Sequence, residues 1–122
     1  MEIVTKRVYE PYAESDGYRV LVDRLWPRGL TKERVHYDEW AKFLAPSTEL
    51  RKWFGHDPAK WDEFQTRYQA ELNANPEAAT FAQKLAALPA CTYPRATLLF
   101  AAKNQQQNEA VVLQKWLQNH DM

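Results

Sequence analysis

"YRVLVDRLWPRG", residues Tyr18 to Gly29, joins two kinds of chemistry end to end. Its first half carries an unbroken apolar run at Val20, Leu21 and Val22. A short run that is apolar at successive positions, not alternate ones, suits a strand buried on both faces. A strand of that kind belongs to a sheet covered on both sides, as in parallel α/β domains. The second half sets Asp23, Arg24, Trp26, Arg28 and a proline–glycine break directly at the strand's end.

A second stretch, "ATLLFAAK" (Ala96–Lys103), has the same apolar character and predicts a second core strand. The segment between the two is rich in helix signals. The two core strands are therefore expected to run parallel, joined by a long helical crossover. Upstream, "VTKRVYE" (Val4–Glu10) reads as a short strand, followed by turn residues at Glu14–Gly17. The link from it to Tyr18 is too short for a helical crossover, so these two strands pair antiparallel or lie apart in the sheet.

Helix boundaries are written in local capping chemistry. Thr31 can cap a short turn, after which Trp40, Phe43 and Leu44 recur at helical spacing. Ser47 or Thr48 can cap a helix that buries Leu50, Trp53 and Phe54 and stops at Gly55. Asp57–Pro58 opens another, with Trp61, Phe64, Tyr68 and Leu72 on one stripe. Asn75–Pro76 repeats the signal ahead of Phe81, Leu85 and Leu88, and "EAVVLQKWL" (Glu109–Leu117) forms a closing amphipathic helix. The expected fold is a single α/β domain over 1–122: about three strands, the core ones parallel, with four to six helices.

Composition narrows the function classes. The chain has 122 residues, 45% hydrophobic and 26% charged, with aromatics at 13% including five tryptophans. That length buries a core without metal or disulfide support. Sixteen basic residues balance sixteen acidic ones, so bulk charge supplies no general grip on nucleic acid or anionic lipid. The stretch from Arg19 to His56 does hold eight Lys/Arg against five Asp/Glu. The single Cys91 rules out an internal disulfide and a multi-thiolate metal site, and suits a reducing cytoplasm. The first ten residues hold no long apolar run, and no stretch approaches a membrane span. A soluble cytoplasmic protein is the expectation.

Ligands in open α/β sheets bind beyond the carboxyl ends of the strands. Two segments occupy that place here: Asp23–Arg24 with the LWPRG loop, and Ala102–Lys103–Asn104 before the last helix. Arg24 and Arg28 present planar forks that match phosphate or carboxylate bidentately. Pro27 stiffens the loop that carries Arg28, and Trp26 can anchor it. Asp23 is a candidate general base, an orienting group or a structural partner of an arginine. A second constellation lies in "APSTELRKWFGHD" (Ala45–Asp57). There Ser47 and Thr48 sit at a helix start that favours an anion, Arg51 and Lys52 ride the helix, and His56 beside Asp57 has the make-up of an acid/base pair.

Other chemistries find no footing. The histidines His36, His56 and His120 lack ligand spacing, so no metal is expected. No phosphate-binding glycine loop is present, and no cofactor is expected. Cys91 precedes the last strand and should lie at the edge opposite the candidate site.

"RVLVDRLWPRGL" (Arg19–Leu30) and "LAPSTELRKWFGHDPAKWDEF" (Leu44–Phe64) together resemble the YeaO-like family of small bacterial proteins, a domain of unknown function. The later "LLFAAK" and "NEAVVL" are similar to that family's third block, and the resemblance spans Val8 to Leu117. It implies a compact bacterial α/β protein and no particular activity. Wider relatives share a strand end echoed here by Leu21, Val22, Asp23, Arg24 and Pro27. An acidic residue often follows the basic one in the third block; here Lys103 is followed by Asn104 and Gln105.

Three function classes follow. The first is a protein that binds, and has groups able to act on, a small anionic ligand such as a phosphorylated one. Arg24, Arg28, Arg51 and Lys103 would hold it, Asp23 and His56 would move protons, and Trp26, Ser47 and Asn104 would support. The second is a structural or protein-interaction domain whose motifs serve folding. The third is a nucleic-acid-associated regulator, which the basic Arg19–His56 stretch favours and the zero net charge opposes.

Overall fold

The computed structural model describes residues 1–120. Among them, strands β1 (Glu2–Arg7), β2 (Tyr18–Leu21), β3 (Glu39–Trp40) and β4 (Arg95–Phe100) form one sheet. Their order is β1-β4-β2-β3, and every neighbouring pair is parallel. The α-helices are α1 (Lys32–Val35), α2 (Thr48–Phe54), α3 (Trp61–Ala74), α4 (Pro76–Ala86) and α5 (Glu109–His120). The parallel α/β architecture matches the sequence expectation, with four strands in place of about three.

The extra strand is β3. Trp40, Phe43 and Leu44 read as a helical stripe, but Glu39–Trp40 pairs with Val20–Leu21, and Lys42–Leu44 forms only a 3-10 turn. Asp38 N–H donates to the Arg19 carbonyl and Ala41 N–H to the Leu21 carbonyl, both at 2.8 Å. A two-residue strand is too short to show alternation, so hydrogen bonding to a distant segment overrides local spacing here. β1 also starts earlier than expected and ends at Arg7, although Val8 N–H still reaches the Phe100 carbonyl at 2.7 Å. β1 and β2 lie apart, as one of the two expected arrangements required, with β4 between them.

Strand alternation divides the core. Tyr18, Val20 and Val22 of the β2 segment, with Ala96, Leu98 and Phe100 of β4, enter the large core beneath the helices. Leu21 and Leu99 face the other way and join Val8 and Val35. That second face is covered thinly, by α1, by loop side chains of Trp26, Leu30 and Tyr37, and by Trp40 of β3. Both faces are buried, and this is why the strands read as continuous apolar runs.

The helix starts follow the capping chemistry. Thr31, Ser47 and Asn75 accept from the backbone N–H of Arg34, Leu50 and Glu77. α2 stops at left-handed Gly55, and Asp57–Pro58 opens a 3-10 turn that runs into α3. Phe64, Tyr68 and Leu72 of α3, Phe81 and Leu85 of α4, and Val112, Leu113, Trp116 and Leu117 of α5 are all buried. Cys91 is exposed in the loop that leads into β4, away from that strand's carboxyl end.

Candidate functional site

Four parallel strands that all end on one edge create a place where loops from distant parts of the chain must meet. A cleft of about 850 Å³ lies there. β1 contributes Arg7 and the following Tyr9; the segment after β2 contributes Asp23 to Arg28; the segment after β4 contributes Ala101 to Asn104. Arg51 and His56 enter from α2 and its end, and Glu109 from the first turn of α5. Of the residues singled out from sequence, Asp23, Arg24, Trp26, Arg28, Arg51, His56, Lys103 and Asn104 therefore come together at one cleft.

The two anchors of the "DRLWPRG" loop are well defined. Trp26 is half-buried and donates its indole N–H to the Leu30 carbonyl at 2.7 Å. Its ring packs edge-on against Trp40, centroid distance 5.4 Å, and Tyr37 at 5.8 Å. Asp23 ties the ends of β2 and β4 together: its Oδ2 accepts from Ala101 N–H at 2.8 Å, and its carbonyl accepts from the Trp40 indole at 2.7 Å. Among the described residues Arg24 pairs with no acid. Its Nη2 reaches the Pro46 carbonyl at 3.2 Å and thereby ties the loop to the segment before α2.

Electrostatically the cleft is lopsided. Five cationic side chains line it, those of Arg7, Arg24, Arg28, Arg51 and Lys103. Among the described residues the salt bridges are made by other cations: Lys6, Arg19, Arg67, Lys84 and Arg95. Among the described residues the five cleft cations thus have no carboxylate counterion within 4 Å. Arg7 donates from Nε to the Ala102 carbonyl at 3.2 Å and lies over the ring of Tyr9, 4.7 Å from its centroid.

Ser47, Asp57 and Asn104 each engage the protein's own groups. Ser47 does not line the cleft; it caps α2, donates its hydroxyl to Glu71 Oε2 at 2.7 Å, and its N–H meets Glu71 Oε1 at 2.8 Å. The negative charge expected from a ligand at that helix start comes from the protein's own α3. Asp57 caps the next turn, its carboxylate accepting from Ala59 N–H. His56 itself takes a left-handed backbone at φ 59° that non-glycine residues seldom adopt. Asn104 lines the cleft, yet its Oδ1 is engaged by the N–H groups of Gln106 and Gln107.

Three cleft residues escaped the sequence reading: Arg7, Tyr9 and Glu109. Arg7 and Tyr9 lie in a segment that reads only as an unremarkable strand. Glu109 reads as an ordinary acidic first-turn residue of a helix. Burial pushes its carboxyl well above the usual range, and hydrogen bonding to the Asp23 carboxylate, with that group's charge, pushes the same way. The Arg51 charge opposes the shift without reversing it. Burial and the nearby Asp23 charge thus both favour the protonated form of Glu109.

A group whose folded-state pKa is raised stabilises the fold below its unfolded value, and that contribution is lost as pH rises through the folded value. Glu109 should therefore weaken the protein as pH climbs from about 4.3, its ordinary value, through the raised one. Glu109→Gln is expected to remove this loss. Urea unfolding at pH 5 and pH 8 should show the variant gaining on the parent at the higher pH; an unchanged difference would refute the raised Glu109 pKa.

Comparison with known proteins places the chain in context. The family model described as the inactive DUF488-N3 subclade, DUF488-N3i, matches residues 2–121. "Uncharacterized protein YeaO" of Escherichia coli (strain K12) is 47% identical over 119 residues, covering 98% of this chain and 99% of that protein. "Uncharacterized protein Rv3073c" of Mycobacterium tuberculosis and "Uncharacterized protein Mb3100c" of Mycobacterium bovis are each 52% identical over 67 residues. Those matches cover 55% of this chain and 57% of each relative. The YeaO-like resemblance read from the two long motifs is thereby borne out. No solved structure matches the chain.

Proposed function

The chain belongs to the DUF488-N3i family, and for this member we propose that the strand-end cleft binds a small phosphorylated anion. The observation that carries the reading is a set of five cations around one concavity, Arg7, Arg24, Arg28, Arg51 and Lys103, none of which forms a salt bridge among the described residues. Holding like charges together costs repulsion that a bound polyanion offsets, and cleft walls of low dielectric concentrate the field. Three of the five side chains approach from loops at strand ends, the usual place for ligands in parallel sheets. The Asp23 carboxylate is engaged by the Ala101 N–H and, among the described residues, pairs with none of the five cations.

Binding rather than turnover is the favoured role. The matching family is described as inactive. No described helix is long and apolar enough to cross a membrane. The exposed free thiol of Cys91 supports a reducing, cytoplasmic setting.

Titration of the labelled protein with inorganic pyrophosphate at low salt tests the reading. Amide shifts are expected at residues 23–28 and 101–104, weakening as salt is raised. Arg28→Ala with Arg51→Ala should cost about 1.5–3 kcal/mol per lost charged hydrogen bond, so tenfold or more in affinity. Neither side chain makes a hydrogen bond among the described residues, so the variant should fold as the parent does. Unmoved amides at millimolar pyrophosphate would overturn the assignment.

A further inference from the structure

The cleft is not uniformly polar. Four large hydrophobic side chains are exposed among the described residues, Met1, Tyr9, Tyr12 and Leu25, and two of them, Tyr9 and Leu25, line this cleft. Leu25 is 61% exposed although it sits between Arg24 and the half-buried Trp26. Exposed apolar surface bordering a cationic concavity is the combination that a ligand with one apolar and one anionic end would cover.

The ledge is also rigid. Tyr9 donates its hydroxyl to the Arg28 carbonyl at 2.9 Å, across the mouth from β1 to the "DRLWPRG" loop. The Arg7 guanidinium lies over its ring, while 39% of the residue stays exposed. Leu25 is flanked by Arg24, tied to the Pro46 carbonyl, and by Trp26, tied to the Leu30 carbonyl. A ring anchored at its hydroxyl loses little freedom when a flat ligand group settles on it. The cleft volume of about 850 Å³ lies within the range of small-molecule sites.

From this juxtaposition we propose that the ligand is a phosphorylated nucleoside, its base against Tyr9 and Leu25 and its phosphate among the cleft cations. This rests on the anion-binding reading and names its ligand class. A sugar phosphate offers no π-face to stack on the Tyr9 ring, whereas every nucleobase does. The same chemistry is offered by a free mononucleotide and by the 5′-phosphate end of an oligonucleotide.

Calorimetric titrations with pyrophosphate, ribose 5-phosphate, the four 5′-mononucleotides and a 5′-phosphorylated dinucleotide test the proposal. At least one nucleotide is expected to bind roughly tenfold or more tightly than ribose 5-phosphate, the scale of one base stacked on a ring. Leu25→Ser should narrow that ratio, and the tighter of mononucleotide and dinucleotide identifies the source. Nucleotides that bind no better than ribose 5-phosphate would overturn the ligand class while leaving the anion site standing. If pyrophosphate also fails to bind, the anion site itself falls.

Discussion

Arg19→Ala is expected to cost about 3–5 kcal/mol of folding stability, the usual consequence of removing one partner from a buried charged network. Arg19 is 1% exposed, in the middle of β2. Its guanidinium pairs with Asp16, donates from Nε to the His36 carbonyl at 2.9 Å, and from Nη2 to the Val35 carbonyl at 2.8 Å. Asp16 is also held by Lys6 Nζ at 3.0 Å. Tyr12 lies over the guanidinium, 5.2 Å from centroid to carbon, and stacks on His36. Alanine at position 19 strips the end of α1 of its donors and leaves Asp16 desolvated with fewer partners. The exposed Arg95–Glu2 pair offers the control, since surface pairs contribute about 0–1 kcal/mol. Urea unfolding should separate Arg19→Ala from Arg95→Ala by more than 2 kcal/mol (a figure set by those two ranges); equal losses would show that the buried guanidinium does not organise this side of the sheet.

The second large effect is steric. Gly17 turns the chain into β2 at φ 69° and ψ −127°, a backbone state that glycine alone adopts readily. A β-carbon there would lie 2.0 Å from the Arg95 carbonyl oxygen and 2.9 Å from the attached carbon. Both obstacles are backbone of the central strand, so neither can swing aside as a side chain would. Gly17→Ala must either part β2 from β4 or re-route the turn. Overpacking and backbone strain together set an expected loss of about 3 kcal/mol or more. Thermal melting should show a marked drop, with the anion-binding cleft affected only through the population of folded protein; a melting temperature within experimental error of the parent would refute the close approach.

These two residues show where sequence reading runs short. Arg19 registers only as one more cation in a basic stretch, because its neighbours already satisfy the strand pattern. Its burial follows from Asp16, Val35 and His36 closing around it on the thin face of the sheet. Gly17 registers as a turn residue, and nothing nearby in the chain announces that Arg95 will pass within contact distance. The site divides in the same way. Arg24, Arg28 and Lys103 were legible because strand ends are predictable from apolar runs and ligands gather there. Glu109 was not, since its unusual state needs the Asp23 carboxyl beside it, 86 positions away in the sequence.

Local chemistry alone determined the helix starts at Thr31, Ser47, Asp57 and Asn75, because a cap and the N–H it satisfies lie within three residues. It also determined that the Val20–Val22 and Leu98–Phe100 strands lie inside, since unbroken apolar runs cannot face water on either side. Only the tertiary structure decided that β4 inserts between β1 and β2, that Glu39–Trp40 makes a fourth strand, and that Glu71 fills the place at Ser47. It also gathered five cations into one cleft, and there lies the physical difference. A cap is satisfied by its neighbours, whereas a charge acquires its meaning from groups that only folding brings within reach.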